Sequence, residues 1–135
     1  MDIIAFTRAI VDIDSTTGRE QEVAAFIART LREFGWHVDE QPLSDGRFNV
    51  LARIEQPTVV LSTHFDCVPP FFPSRIEGSR LYGRGACDAK GILAAQVAAA
   101  ERLGAPTWGC CLSPGKSAGA TGPKPRTAGR TPPHG

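Results

Sequence analysis

The apolar residues in the first quarter of the chain recur at helical spacing. Ile3, Phe6, Ile10 and Ile13 lie three or four positions apart, which predicts an amphipathic helix over about residues 2–13. Similar spacing over residues 23–34 predicts a second helix, which Gly35 is placed to end. Two amphipathic helices therefore open the chain.

After this point the apolar period changes to two. Residues 36–39 and 48–55 alternate apolar with polar side chains on either side of a turn at 44–46, which predicts two strands in a hairpin. The run at 58–63 is continuous and rich in β-branched residues. That pattern predicts a central strand that is buried on both faces of a sheet.

Two further elements complete the predicted domain. Residues 76–81 predict two short strands about a Gly-Ser turn, and an Ala-rich stretch predicts a helix over about 89–103 that Gly104 ends. Helices and strands alternate along the chain, which favours the α/β class with a sheet covered by helices.

The composition changes abruptly near residue 104. Residues 105–135 contain four Lys and Arg, six Gly, six Pro and no Asp or Glu, and Leu112 is their one branched aliphatic residue. Such a segment buries little apolar surface to offset the entropy of ordering, so we predict that 105–135 is a disordered tail. It is either a translation of the wrong reading frame of GC-rich DNA or a low-complexity linker.

The whole-chain composition narrows the class of protein. A formal net charge of +1 argues against nucleic acid or a membrane surface as a partner. The sequence has no run of 18 apolar residues, and its first residues lack the pattern of a secretory signal. The four Cys fit neither a zinc knuckle nor a disulfide framework. We therefore expect a reduced, cytoplasmic protein.

Two polar segments could carry chemistry. His64 and Asp66 lie at the carboxyl end of the run at 58–63, where open α/β sheets bind ligands, and alternate strand positions share a face. Asp66 could then accept a hydrogen bond from one ring nitrogen of His64 and leave the other nitrogen for a metal. The alternative is a solvated strand end with an incidental His and Asp.

The second segment is the Gly-rich stretch at 83–91. Asp88 stands at the start of the predicted helix, where it is either a site carboxylate or only an N-cap. Lys90 is interpreted as a solvated residue of the first helical turn. Cys67 and Cys87 each neighbour a candidate site residue, and we interpret them as small hydrophobic residues rather than ligands.

Together these segments resemble the co-catalytic zinc amidohydrolase and metallopeptidase family, which includes acetylornithine deacetylase, succinyl-diaminopimelate desuccinylase, aminoacylase and glutamate carboxypeptidase. The resemblance rests on the His-x-Asp element at 64–66 and the Gly-x-x-Asp-x-Lys-Gly element at 85–91, whose His and Asp are 24 residues apart. It covers about residues 1–104. It implies that these residues are the incomplete N-terminal part of a zinc-exopeptidase-like helix/sheet/helix sandwich.

The resemblance also implies residue roles. His64 would be a ligand of one zinc ion, Asp88 the carboxylate that bridges two zinc ions, and Asp66 the catalytic residue that orients His64. Cobalt or manganese could replace zinc. The implied substrate is a small N-acyl amino acid or a short peptide, and the full-length enzyme is implied to be a homodimer.

The sequence departs from the family pattern after Glu101. The family continues with a Glu-Glu pair, of which the first is the general base, whereas residues 105–135 have no acidic residue and His134 has no matching context. We therefore expect a fragment of an amidohydrolase that is inactive as given. The alternatives are a fragment of a di- or tripeptidase of the same family, or a non-catalytic metal-binding module.

Overall fold

A computed structural model describes residues 1–104 and 108–115 of the chain. Its helices are α1 (Ile3–Val11), α2 (Gln21–Glu33) and α3 (Gly91–Leu103), and a short helical turn at Ala86–Lys90 leads into α3. The Asp2 carboxylate caps α1 by accepting from the backbone N–H groups of Ile4 and Ala5. The predicted helices are therefore confirmed, with α3 beginning two residues later than expected.

The strands form two sheets. They are β1 (His37–Pro42), β2 (Phe48–Arg53), β3 (Val59–His64), β4 (Arg75–Glu77), β5 (Arg80–Tyr82) and β6 (Trp108–Ser113). The larger sheet has the order β1-β2-β6-β3, and the antiparallel pair β4-β5 stands apart. The predicted hairpin is the antiparallel pair β1-β2, and β4-β5 are the two predicted short strands. The α/β class is confirmed.

All three helices join one core on one face of the larger sheet. Val50 and Ala52 of β2 lie directly opposite Leu112 and Cys110 of β6, so these four buried side chains share a face. They belong to the same core cluster as the buried apolar faces of α1, α2 and α3. This packing fixes the helices relative to the ends of the strands.

The predicted disorder of 105–135 is wrong for residues 108–113, which form β6 inside the sheet. Trp108, Cys110 and Leu112 alternate with smaller or polar residues, and Cys110 and Leu112 are fully buried. This six-residue alternation is hidden when the composition is averaged over the whole tail. Residues 105–107 and 116–135 lie outside the described residues, so the prediction is untested there.

The predicted central position of the run at 58–63 is also wrong. Strand β3 lies at the edge of the described sheet, and Val59 and Val60 are 44% and 48% exposed. β6 occupies the inner position because it pairs in parallel with β3 and antiparallel with β2. The parallel pair requires a crossover connection, which α3 supplies between β3 and β6. Strand order is thus set by pairing and not by how apolar a strand is.

Candidate metal centre

The candidate residues meet at the carboxyl end of β3. His64 is the last residue of β3, and Asp88 lies in the turn at Ala86–Lys90 that precedes α3. Both line a cleft of about 330 Å³, together with Asp66 and the Gly-rich segment at 83–87. The structure therefore brings His64 and Asp88 together in one cleft, at the sheet edge where α/β proteins bind ligands.

Asp66 holds the ring of His64. Its Oδ1 lies 2.7 Å from Nδ1 of His64, a charge-assisted hydrogen-bond distance. The backbone N–H of Phe65 donates to the Ser113 carbonyl at 2.9 Å, which extends the β3-β6 pairing past His64. Gly115 packs so closely on the Asp66 carboxylate that any side chain there would collide with it. The carboxylate is thereby fixed against one ring nitrogen.

The other ring nitrogen faces Asp88. Nε2 of His64 lies 3.2 Å from Oδ1 of Asp88, and the Asp88 side chain is 85% exposed to the cleft and solvent. A nitrogen and an oxygen that bind one tetrahedral zinc ion at about 2.0–2.2 Å lie roughly 3.4 Å apart. The spacing and the donor types of this pair therefore fit a shared zinc ion.

Asp88 is not the N-cap of α3, so the alternative in which it only caps that helix is wrong. The N-cap is Lys90, and Asp88 has an extended backbone within the preceding turn. Gly85 makes this turn possible because its φ is +77°, and a Cβ on Gly91 would lie 2.5 Å from the Ala86 carbonyl oxygen. The glycines of the motif therefore turn the backbone so that Asp88 faces the cleft and not the helix axis.

Two cysteines, Cys67 and Cys87, also line this cleft. Cys67 is buried and Cys87 is exposed, and residues 1–104 and 108–115 contain no group of three or more His, Cys, Asp or Glu side chains suited to a metal. The described residues thus bring together two candidate ligands, His64 and Asp88, whereas zinc sites in proteins usually have three or four protein ligands.

Sequence reasoning missed the loop at 12–18, which links the two ligand segments. Ser15 Oγ donates to the Phe65 carbonyl at 2.7 Å, and Lys90 Nζ donates to the Ile13 carbonyl at 2.9 Å. Lys90 is fully buried, so its interpretation as a solvated residue is wrong. Its predicted position in the first turn of a helix gave no signal of burial, because the covering loop comes from a distant part of the sequence.

Asp14 stabilises this loop. Its carboxylate accepts from Thr16 N at 2.9 Å, from Thr16 Oγ1 at 2.8 Å and from Arg19 at 3.2 Å. The hydrogen bond from the Thr16 backbone, followed by those of the Thr16 hydroxyl and Arg19, holds the pKa of Asp14 below its usual value. The ionised carboxylate is therefore favoured in the folded protein.

We expect Asp14→Asn to lower stability at pH 6 but not under acid conditions. A depressed folded-state pKa stabilises the fold above the unfolded-state pKa, about 3.9, and this contribution is lost as the pH falls through the folded-state pKa. Urea unfolding of both proteins should give midpoints that differ at pH 6 and approach each other as the pH falls below about 4. Glu55→Gln, at an exposed position, is the control. A constant difference for Asp14→Asn across this range would contradict the assignment.

Comparison with known proteins places these segments in a family. The pattern of "Peptidase family M20/M25/M40" matches residues 60–107, which include most of β3, the Asp88 turn and α3. Residues 60–107 match this family, as the two motifs imply. Family M20 peptidases are metal-dependent hydrolases, which agrees with the donor types at the cleft.

Curated relatives in this family include two kinds of hydrolase. A probable carboxypeptidase of Aspergillus clavatus is 37% identical over an alignment of 111 residues, and the match covers 70% of this chain and 27% of that protein. A Pyrococcus abyssi protein named "Putative LysW-lysine/LysW-ornithine hydrolase" is 42% identical over 94 residues, 68% of this chain and 27% of that protein. The chain thus spans about a quarter of the length of these relatives.

Solved structures support the fold. An M20 family metallo-carboxypeptidase from Sulfolobus solfataricus superposes with a TM-score of 0.69 at 22% identity, over 83% of this chain and 30% of that one. The α/β arrangement is therefore that of M20 peptidase structures. In addition, none of the helices described here is both long and apolar enough to cross a membrane.

Proposed function

We propose that His64 and Asp88 are zinc ligands in a metal-dependent hydrolase that cleaves the amide bond of an N-acyl amino acid. The observation that carries this proposal is the distance of 3.2 Å between His64 Nε2 and Asp88 Oδ1, with Asp66 on the opposite ring nitrogen. The Pyrococcus relative, named for hydrolysis of lysine and ornithine conjugates, supports an acylated amino acid as substrate. When bound, zinc polarises a carbonyl group and lowers the pKa of bound water.

Asp66 sets the tautomer of His64 in this proposal. A carboxylate beside Nδ1 keeps the ring proton there, so the lone pair of Nε2 points toward Asp88. The second oxygen of Asp88 is open to the cleft, which suits the bridging role that the family resemblance implies. In this proposal His64 and Asp88 bind the metal, and Asp66 orients His64.

Peptide hydrolysis is the second candidate, because the Aspergillus relative is named as a carboxypeptidase. The choice between the two substrates depends on the wall of the substrate site. Whichever applies, the 135 residues contain no Asp or Glu after Glu101. A positioned acid–base group typically contributes about 10²–10⁴-fold to rate, so our prediction for this chain as given is still that it does not hydrolyse amides.

Zinc titration of the 135-residue chain tests the proposed ligands. We expect one zinc ion to bind measurably at the cleft, and His64→Ala to weaken binding at least tenfold because it removes the nitrogen donor. His37→Ala, at the exposed start of β1, is the matched control and should bind as the wild type does. Isothermal titration calorimetry gives the affinities. Equal affinities for the His64→Ala and His37→Ala proteins would overturn the proposal.

A further inference from the structure

The loop at 12–18 holds the backbone on both sides of Asp66. Ser15 Oγ donates to the Phe65 carbonyl at 2.7 Å, and the N–H of Cys67 donates to the Ser15 carbonyl at 3.0 Å. The N–H of Thr17 in turn donates to the Cys67 carbonyl at 3.2 Å. Ser15 is fully buried, so its two bonds are shielded from water. The position of the Asp66 carboxylate beside His64 thus depends on this loop.

The same loop holds the turn that carries Asp88. Lys90 is fully buried and its Nζ donates to the Ile13 carbonyl at 2.9 Å, while its backbone N–H closes the turn by donating to the Gly85 carbonyl at 2.9 Å. A buried ammonium group is costly, so its placement here requires compensating contacts from the loop.

These two sets of contacts converge on one segment of chain. Phe65 and Cys67 lie on either side of Asp66, and Lys90 lies two positions after Asp88. All three residues form hydrogen bonds to residues 13–17. The loop itself offers no donor to the cleft in the described structure, because the residues that line the cleft come from 64–68 and 83–88. Its contacts therefore act through other residues.

We propose that Lys90 and Ser15 are positioning residues that hold the His64–Asp66 segment and the Asp88 turn at ligand distance through the 12–18 loop. The proposal rests on the proposed function for the ligand roles of His64 and Asp88. That Lys90 holds the loop in place is inferred from its hydrogen bond to Ile13 and does not depend on the ligand roles.

The test compares Lys90→Met with Val97→Ala in the 135-residue chain. Lys90→Met keeps an apolar stem but removes the donor to Ile13. Val97→Ala removes buried apolar volume two turns further along α3 and leaves the loop contacts in place. Each protein is measured by hydrogen exchange without metal, at the amides of Thr17 and Cys67, and by zinc titration.

We expect Lys90→Met to speed exchange of these two amides and to weaken zinc binding about 10–100-fold, the range found when outer-shell partners of metal ligands are removed. Val97→Ala should lower the unfolding midpoint while zinc affinity stays within about twofold of the wild type. Lys90→Arg, which keeps a cationic donor, should restore part of the zinc affinity. Equal losses of zinc affinity in Lys90→Met and Val97→Ala, or unchanged exchange in Lys90→Met, would overturn the proposal.

Two further measurements distinguish a failure of this proposal from misfolding of a variant and from a failure of the proposed function. If Lys90→Met does not fold, Ser15→Ala carries the test, because it removes one hydroxyl and its bond to Phe65, and the same increase in exchange and loss of zinc affinity are expected. If the wild type binds zinc no better than His64→Ala does, the proposed function fails. The exchange measurement then still decides whether Lys90 and Ser15 hold the loop.

Discussion

Leu112→Ala is expected to lower the free energy of unfolding by about 2–5 kcal/mol, the range for truncation of a buried leucine. Leu112 is fully buried, belongs to the main core cluster and lies opposite Val50 in β2 and Thr63 in β3. The loss is a large fraction of the 5–15 kcal/mol that stabilises a typical domain. Urea unfolding followed by the fluorescence of the two tryptophans measures it.

Leu103→Ala is the matched control for this experiment. Leu103 is the last residue of α3 and is 60% exposed, so its truncation should change stability by no more than about 0.5 kcal/mol. A loss of similar size in both variants would mean that β6 is not part of the core. The comparison therefore tests whether β6, which the composition of residues 105–135 does not reveal, is part of the core.

Asp66→Ala is expected to weaken zinc binding about 10–100-fold while leaving both proposed ligands in place. Without the carboxylate, the Nδ1 proton and the ring orientation of His64 are no longer fixed, so Nε2 faces Asp88 for only part of the time. Calorimetric titration with zinc measures the affinity.

Asp39→Ala serves as the control because Asp39 is an exposed carboxylate on β1, paired with Arg53 at 3.7 Å. This variant should bind zinc as the wild type does. Asp66→Asn keeps an oxygen that can accept from Nδ1, so it should fall between the wild type and Asp66→Ala. Full zinc affinity in Asp66→Ala would show that the hydrogen bond to His64 has no part in metal binding.

Local sequence patterns were sufficient for the helices and the hairpin. The three-to-four spacing of apolar residues predicted α1 and α2, and the change to alternation at Trp36 predicted β1 and β2. Gly35 and Gly104 were correctly placed at helix ends, and both adopt positive φ angles. These features depend on residues that are close in sequence, which is why they could be read without a structure.

Strand order could not be read in this way. The run at 58–63 is apolar enough for a central strand, and β6 is short and lies in a segment rich in Gly and Pro, yet β6 is the inner strand. Which strand lies inside depends on which partners pair on each side, and those partners are distant in sequence. Composition averaged over a long segment also conceals a strand of six residues.

The sequence by itself pointed to the candidate chemistry of this protein, because His64, Asp66 and Asp88 stand in two short motifs that resemble those of a metallopeptidase family. Only the tertiary structure decided that Nε2 and Oδ1 are 3.2 Å apart and that Lys90 is buried under the 12–18 loop. The physical reason is that distances and burial arise where segments far apart in the chain pack together. A motif specifies the donor atoms, and the packing of these segments sets the distances between them.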